Sequence, residues 1–338
     1  MDTLSIDPII MAEADDDVLA SMTVDLPSSV SVRSKQVSSR APRRRTLRFP
    51  ISCTGVGLHT GSPIRLVLEP AAAGTGIVFQ RIDIAGAAPL PARYDHVVDT
   101  RLSTVIGDPT DPLRNRIATI EHLMAALCGS RIDDVRVLVD GPEVPVLDGS
   151  AADFVFLLDC AGSVEQKTQR REIEIKRTVR VEDGDAFAQL HPCATQQLDM
   201  TIDFPARAIG RQNLKLGLED GTFRRELATS RTFTNRAEIE HLHRIGLARG
   251  GSLKNAVVVD DDRILNPDGL RVRDEFVRHK MLDAVGDLFL AGGWLKARFV
   301  GHKSGHRLNN LLLRALFADS ANWRETGSLP TQEDRRAA

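Results

Sequence analysis

In each half of this chain, strand-like runs come first and helix-like runs follow, and that order narrows the fold more than any other feature. In the first half, "SPIRLVLEPA" (62–71) alternates apolar and polar residues as a half-buried strand does, and "DDVRVLVDGPEVPVL" (133–147) reads as a strand and turn. The stretch "TIEHLMAALCGSRI" (119–132) has helical spacing, with Ile120, Leu123, Met124 and Leu127 on one face and Gly129 as the stop. "DGSAADFVFLLDCAG" (148–162) is predicted to open a helix capped by Asp148 or Ser150, with Gly162 beyond its end. The second half repeats the scheme. "EIEIKRTVRVED" and "AFAQLHPCATQQLDMTIDFPA" suggest a sheet, and helices are predicted around 235–246, 271–291 and 304–318. Strands followed by helices in both halves argue for α+β, not for a doubly wound alternation.

The polar segment "SVEQKTQRR" (163–171) separates the halves. It suggests domain I over 46–165 and domain II over 170–325, and no internal repeat is evident. A chain of 338 residues, 42% apolar, is long enough for two such cores. Residues 1–45 differ: "ADDD" and "SSVSVRSKQVSSRAPRRR" carry many serines and split charge, and are expected to form a disordered, solvated extension. Residues 326–338 are expected to be a C-terminal tail.

Net charge is −2, which argues against an electrostatic nucleic-acid binder. No apolar run reaches the roughly 18 residues of a membrane helix, so no stable membrane insertion is expected. The start lacks a basic stretch followed by an apolar one, and the four cysteines (Cys53, Cys128, Cys160, Cys193) form no C-x-x-C pair. A reduced, cytoplasmic protein is the expectation.

Chemistry concentrates in "EFVRHKMLDAVGDLF" (275–289). On a helix, positions four apart nearly share a face, so His279, Asp283 and Asp287 fall on one stripe while Met281, Leu282, Val285 and Leu288 supply apolar surface elsewhere. A His-x3-Asp pair can offer a nitrogen and an oxygen to Zn²⁺ or a similar ion, although for an isolated pair a surface hydrogen bond is the favoured reading. "TIEHLMAAL" places His122 beside Glu121. A metal lowers the pKa of water to about 7, and an adjacent carboxylate can take its proton. The ligand set must then be completed from far away in sequence. "GHKSGHRLNN" (301–310) leads a glycine-flanked loop into a helix and carries His302, Lys303 and His306, which suit a general acid or an anion binder. In "HLH" (241–243) the two histidines point apart and are expected to face solvent.

Six motifs in order, "TGVGLHTG" (54–61), "TIEHLMAAL" (119–127), "EVPVLDGSAADFVFLL" (143–158), "SRTF" (230–233), "DEFVRHKMLDAVGDLFLAGG" (274–293) and "HKSGHRLNN" (302–310), resemble the UDP-3-O-acyl-N-acetylglucosamine deacetylases of Gram-negative bacteria. The resemblance runs from about residue 45 to about 325. It implies a zinc amidase, monomeric, that removes the acetyl group from a UDP-linked, 3-O-acylated glucosamine in lipid A biosynthesis. It implies one Zn²⁺ per chain, with Fe²⁺ as the alternative. The implied fold is a two-domain sandwich in which each domain is a sheet with a helix layer, the helix layers face each other, and each domain carries a small insert.

Carried over motif by motif, His122, His279 and Asp283 resemble the metal ligands, Glu121 the general base, and His306 the general acid positioned by Asp287. Thr232 and Lys280 resemble the oxyanion-stabilising groups. Residues 234–265 resemble an insert that forms an acyl passage, walled by Ile239, Gly251, Ser252, Ala256 and Val258. Leu58 and His59 resemble residues near the site, and Phe233, Lys303 and Phe204 resemble residues near the uridine diphosphate. One departure is Ser103 in "TRLST", where some members have a cysteine that approaches the metal. Two other readings stay open: the same fold acting on a different N-acetylated sugar or amide, and a non-catalytic binding protein. The latter would normally show a lost ligand.

Overall fold

The first-half strands build a five-stranded sheet in the order Ile51–Val56, Pro63–Pro70, Val135–Val139, Ile77–Arg81, Leu90–Pro91. Its pairs are antiparallel except Ile77–Arg81 beside Val135–Val139, which run parallel. The alternation of Pro63–Pro70 turns Ile64, Leu66 and Leu68 into the core, each at most 2% exposed, and burying such a side chain is worth about 1.5–3 kcal/mol. Helix α1 (Glu121–Gly129) and helix α2 (Ala152–Ala161) follow, with α2 lying against Ile51–Val56. The N-cap of α2 is Ala151, with no side-chain cap, so neither expected residue occupies that position, although Ser150 Oγ accepts from the Ala152 amide at 3.1 Å. A smaller sheet of Val97–Asp99, Val105–Gly107 and Arg116–Ile117 sits beside this layer.

The computed structural model describes residues 42–326. The expectations for residues 1–41 and 327–338 lie outside the described residues.

The second half forms a seven-stranded sheet around Trp294–His302, which pairs with Glu172–Ile175 and Gln197–Asp203 in parallel and with Ala186–Pro192 antiparallel. A three-stranded unit follows the strand–helix–strand pattern: Phe233–Asn235, helix α3 (Arg236–Arg244), then Val257–Asp260 parallel to the first, with Arg263–Ile264 added at the edge. Helix α4 (Glu275–Phe289) packs on Gln197–Asp203 and Arg211–Gly217, and helix α5 (His306–Ala318) on Val179–Asp183 and Ala186–Pro192. The architecture is α+β, with the helices of the two halves in contact. Among the described residues, no helix is long and apolar enough to cross a membrane.

The seam between the halves is the crossing of α1 over α4. A Cβ added at Gly286 would lie 2.0 Å from the Glu121 carbonyl oxygen and 3.1 Å from the Ala125 nitrogen. Only glycine permits backbones that close. Spacing alone gave α1 one apolar face, yet Glu121 through Cys128 are all buried. The helix is enclosed on several sides at once, as an interior helix must be. A π-helical turn at Phe223–Leu227, absent from the sequence reading, closes its far end, where the Phe223 ring fills the space a Gly129 side chain would need.

One expectation needs correction. The basic residues 43–45, assigned to the solvated extension, belong to the strand Arg43–Leu47. Arg44 is buried and donates from Nε and Nη2 to Asp134 at 2.7 and 2.6 Å, and the Arg45 amide donates to Asp133 at 2.8 Å. The buried carboxylates recruit this strand, and composition cannot reveal them. The polar segment 163–171, where the boundary between the halves is placed, contains the strand Ser163–Gln169, antiparallel to Arg43–Leu47. Asp133 also accepts from Arg170 Nη2 at 2.9 Å and from Trp294 Nε1 at 3.0 Å, tying the end of α1 to the second sheet.

Candidate active site

Helix α4 delivers its polar stripe to the seam. His279, Asp283 and Asp287 are each 2–3% exposed, and α1 brings His122, 4% exposed, across to meet them. One ligand atom from each of His122, His279 and Asp283 lies within 4.8 Å of the others. Asp283 Oδ1 stands 3.3 Å from His279 Nε2 and 3.5 Å from His122 Nε2, yet this buried oxygen has no hydrogen-bond partner. His279 Nδ1 lies 3.0 Å from the Ser230 carbonyl, which can only accept, so Nδ1 carries the proton and Nε2 presents a lone pair. Burial pushes the His279 imidazole down to about 4, which keeps it neutral. Two imidazole nitrogens and a carboxylate oxygen that converge in this buried space fit a divalent cation with nitrogen and oxygen ligands.

Beside this triad is an acid–base set. Glu121, 3% exposed, has its carboxyl raised by burial, against the lowering effect of His306 and His122. Its Oε2 accepts from the Thr104 amide at 3.0 Å, and its Oε1 faces His306 Nε2 at 3.8 Å. On its other side, His306 Nδ1 is 2.8 Å from Asp287 Oδ2, which also accepts from Asn309 Nδ2 at 2.9 Å. Asp287 Oδ1 accepts from the Thr104 hydroxyl at 2.5 Å. Burial pulls the His306 imidazole down, but Asp287 and Glu121 outweigh it and hold the group at about 9.

A cleft of about 480 Å³ opens over these groups and is lined also by Leu58, Phe204, Thr232, Phe233, Lys280 and Lys303. Lys280 Nζ rests 2.8 Å from Asp283 Oδ2. Thr232 is pinned through its backbone, its N–H donating to the Gly149 carbonyl and its carbonyl accepting from Val257, both at 2.8 Å. Phe233 meets Phe204 and Phe276 edge-on, with centroids 5.3 and 5.0 Å apart. Lys303 Nζ pairs with Asp185 at 2.7 Å and Asp203 at 3.3 Å.

The cleft adjoins an apolar pocket of about 430 Å³ under α3, where Ile239, Gly251, Ser252, Ala256 and Val258 come together with Leu58 and His59. The turn bearing Leu58 and His59 is held by Glu143, 1% exposed, whose carboxylate accepts from the His59 and Thr60 amides at 3.1 and 2.8 Å. A Cβ at Gly57 would lie 2.0 Å from that carboxylate, so the turn needs glycine there. His241 and His243 are exposed.

Sequence reasoning missed three members of this region. Thr104 was passed over beside Ser103. Glu143 sits in "EVPVL" without a local sign that a turn 83 residues away needs it. Thr119 lines the cleft with φ 58°, a costly conformation for a β-branched residue, and its hydroxyl is buried without a partner.

Residues 44–318 match a family model described as "LpxC: UDP-3-O-acyl N-acetylglycosamine deacetylase". Among curated relatives named UDP-3-O-acyl-N-acetylglucosamine deacetylase, the protein from Acidithiobacillus ferrooxidans is 50% identical over 283 residues, covering 83% of this chain and 92% of the relative. The Haemophilus influenzae protein is 47% identical over 283 residues, with the same coverage. The Phenylobacterium zucineum protein is 49% identical over 282 residues, covering 83% of this chain and 95% of the relative.

Proposed function

Since this chain belongs to the UDP-3-O-acyl-N-acetylglucosamine deacetylase family, we propose that it hydrolyses the 2-acetamido group of a UDP-linked, 3-O-acylated glucosamine to acetate and the free amine, a step of lipid A biosynthesis. The observation that carries this reading is the unpartnered Asp283 oxygen between two imidazoles, beside a carboxylate–imidazole pair.

His122, His279 and Asp283 would hold one Zn²⁺, with Fe²⁺ as the alternative. Bound there, the ion supplies Lewis-acid polarisation of the amide carbonyl and makes an adjacent water more acidic. Glu121, made more basic by burial, accepts the proton of the attacking water through Oε1, the oxygen that faces the cleft. Thr232 and Lys280 donate to the oxygen that becomes negative as the carbon turns tetrahedral. His306, protonated at neutral pH and steered by Asp287, gives its proton to the departing amine. The test is deacetylation of the acylated nucleotide sugar with and without a chelator. Turnover that ignores complete metal removal would sink the reading.

Three outcomes follow from this arrangement. His279→Ala removes one nitrogen donor and should leave little or no zinc per purified chain; wild-type zinc content would exclude the residue as a ligand. The acid role of His306 requires its proton, so kcat should hold through neutral pH and fall as pH rises through about 9. An alkaline limb near 6.5 would mean that the carboxylates do not support the imidazole. The 3-O-acyl chain is assigned to the pocket under α3. At about 0.8 kcal/mol per methylene, each carbon removed should lower kcat/KM about fourfold while the chain still fills the pocket. Indifference to chain length would favour the reading with another N-acetylated substrate.

A further inference from the structure

Among the described residues, Thr104 donates a hydrogen bond to each of the two carboxylates that face His306. It is 1% exposed and lies at the edge of the small sheet of the first half, just before Val105–Gly107. Its N–H donates to Glu121 Oε2 at 3.0 Å, and its hydroxyl donates to Asp287 Oδ1 at 2.5 Å. Its carbonyl accepts from the Ile120 amide at 3.4 Å, where the chain enters α1. All three of its polar groups are therefore engaged at this site.

The division of oxygens gives these bonds meaning. Each carboxylate has one oxygen tied to Thr104 and the other turned toward His306: Glu121 Oε1 toward Nε2, and Asp287 Oδ2 onto Nδ1. Among the described residues, Thr104 is the only donor to Asp287 Oδ1. A carboxylate with one oxygen bare can rotate about its terminal torsion, which is broad for Asp and Glu. A buried acceptor left without a donor costs about 1–3 kcal/mol and moves to find one. We propose that Thr104 is a positioning residue that sets both carboxylates of the acid–base pair, using its amide for Glu121 and its hydroxyl for Asp287.

This inference rests on the deacetylase reading above, and its test separates the two. Thr104→Val keeps the shape and the amide but deletes the hydroxyl; Thr104→Ser keeps both donors. Loss of a supporting contact of this kind typically costs about 10–100-fold in activity. T104V should lose that much kcat with KM changed less than about threefold, and T104S should return to within about threefold of wild type. A general loosening of the fold would instead lower the two variants together with their melting temperatures.

The second measurement uses the unaltered protein. A buried hydroxyl held 2.5 Å from a carboxylate should give a slowly exchanging downfield proton resonance assignable to Thr104. If T104V turns over like wild type, if T104S is as impaired as T104V, or if that resonance is missing, the inference fails. Should T104V not fold, the serine variant and the resonance still decide. Collapse of turnover in Glu121→Ala together with normal T104V would remove this inference and leave the deacetylase reading intact. Normal turnover in Glu121→Ala would remove the reading itself, while the resonance would still report the Thr104 bond.

Discussion

Replacing Glu121 by alanine should cut kcat about 10³-fold, within the range of general acid–base contributions, and leave the metal content per chain unchanged. That fall corresponds to about 4 kcal/mol of lost transition-state stabilisation. The side chain lies next to a candidate ligand in sequence, but its own oxygens point elsewhere, one to the Thr104 amide and one toward His306. Its removal would therefore delete the proposed proton acceptor without deleting one of the three candidate metal ligands. KM should change little, because the lost interaction develops only during reaction. A second signature accompanies the first. Glu121 helps keep the proton on His306, so the residual activity should lose its alkaline limb at lower pH than wild type. Turnover within tenfold of wild type would take Glu121 out of its role.

Glu275→Ala should destabilise the fold by about 3–5 kcal/mol, the usual cost of breaking a buried ion pair by removing one partner. Glu275 is 0% exposed at the first turn of α4. It accepts from Arg231 Nε at 2.8 Å, from the Arg231 amide at 2.9 Å and from the Arg271 amide at 2.7 Å. Alanine would strand a guanidinium that is 6% exposed and two backbone donors. Burial raises the Glu275 carboxyl, but Arg231 and the two amides outweigh it and hold the group below its ordinary value. A depressed folded value contributes stability in full above the unfolded pKa of roughly 4.3, and that contribution is lost as pH falls through the folded value. The difference between wild type and E275A, read from urea midpoints at constant m, should thus shrink in acid. A difference that does not change with pH would assign the loss to packing alone.

The polar stripe of α4 was legible because a helix converts a spacing of four into a shared face, so His279, Asp283 and Asp287 could be placed together. His122 and Glu121 were legible as a pair, and only the ordered motifs linked them to the distant helix. Thr104 was not legible. Half its work is done by a backbone amide, which has no sequence signature, and its hydroxyl partner is 183 positions away. The strand Arg43–Leu47 was misplaced for a related reason. Three arginines look like a solvated tail until Asp133 and Asp134 are found beneath them, and long-range pairing of that kind leaves no local period. Helix α1 gave away one face through its spacing, but its other faces were hidden because the neighbours that cover them come from both halves of the chain.

The bare position at Gly286 has one more consequence. The three candidate donors are shared unequally across the seam, one from α1 and two from α4, and the spacing of that seam is fixed by main chain touching main chain. An ion gripping all three would act as a rivet through both halves, so the strength of its grip becomes a gauge of how tightly they are clamped. Loosening the joint by a fraction of an ångström would open the claw before any strand parted from its sheet. If an ion is held there, losing it would slacken the joint and disarm the proposed chemistry in one mechanical event.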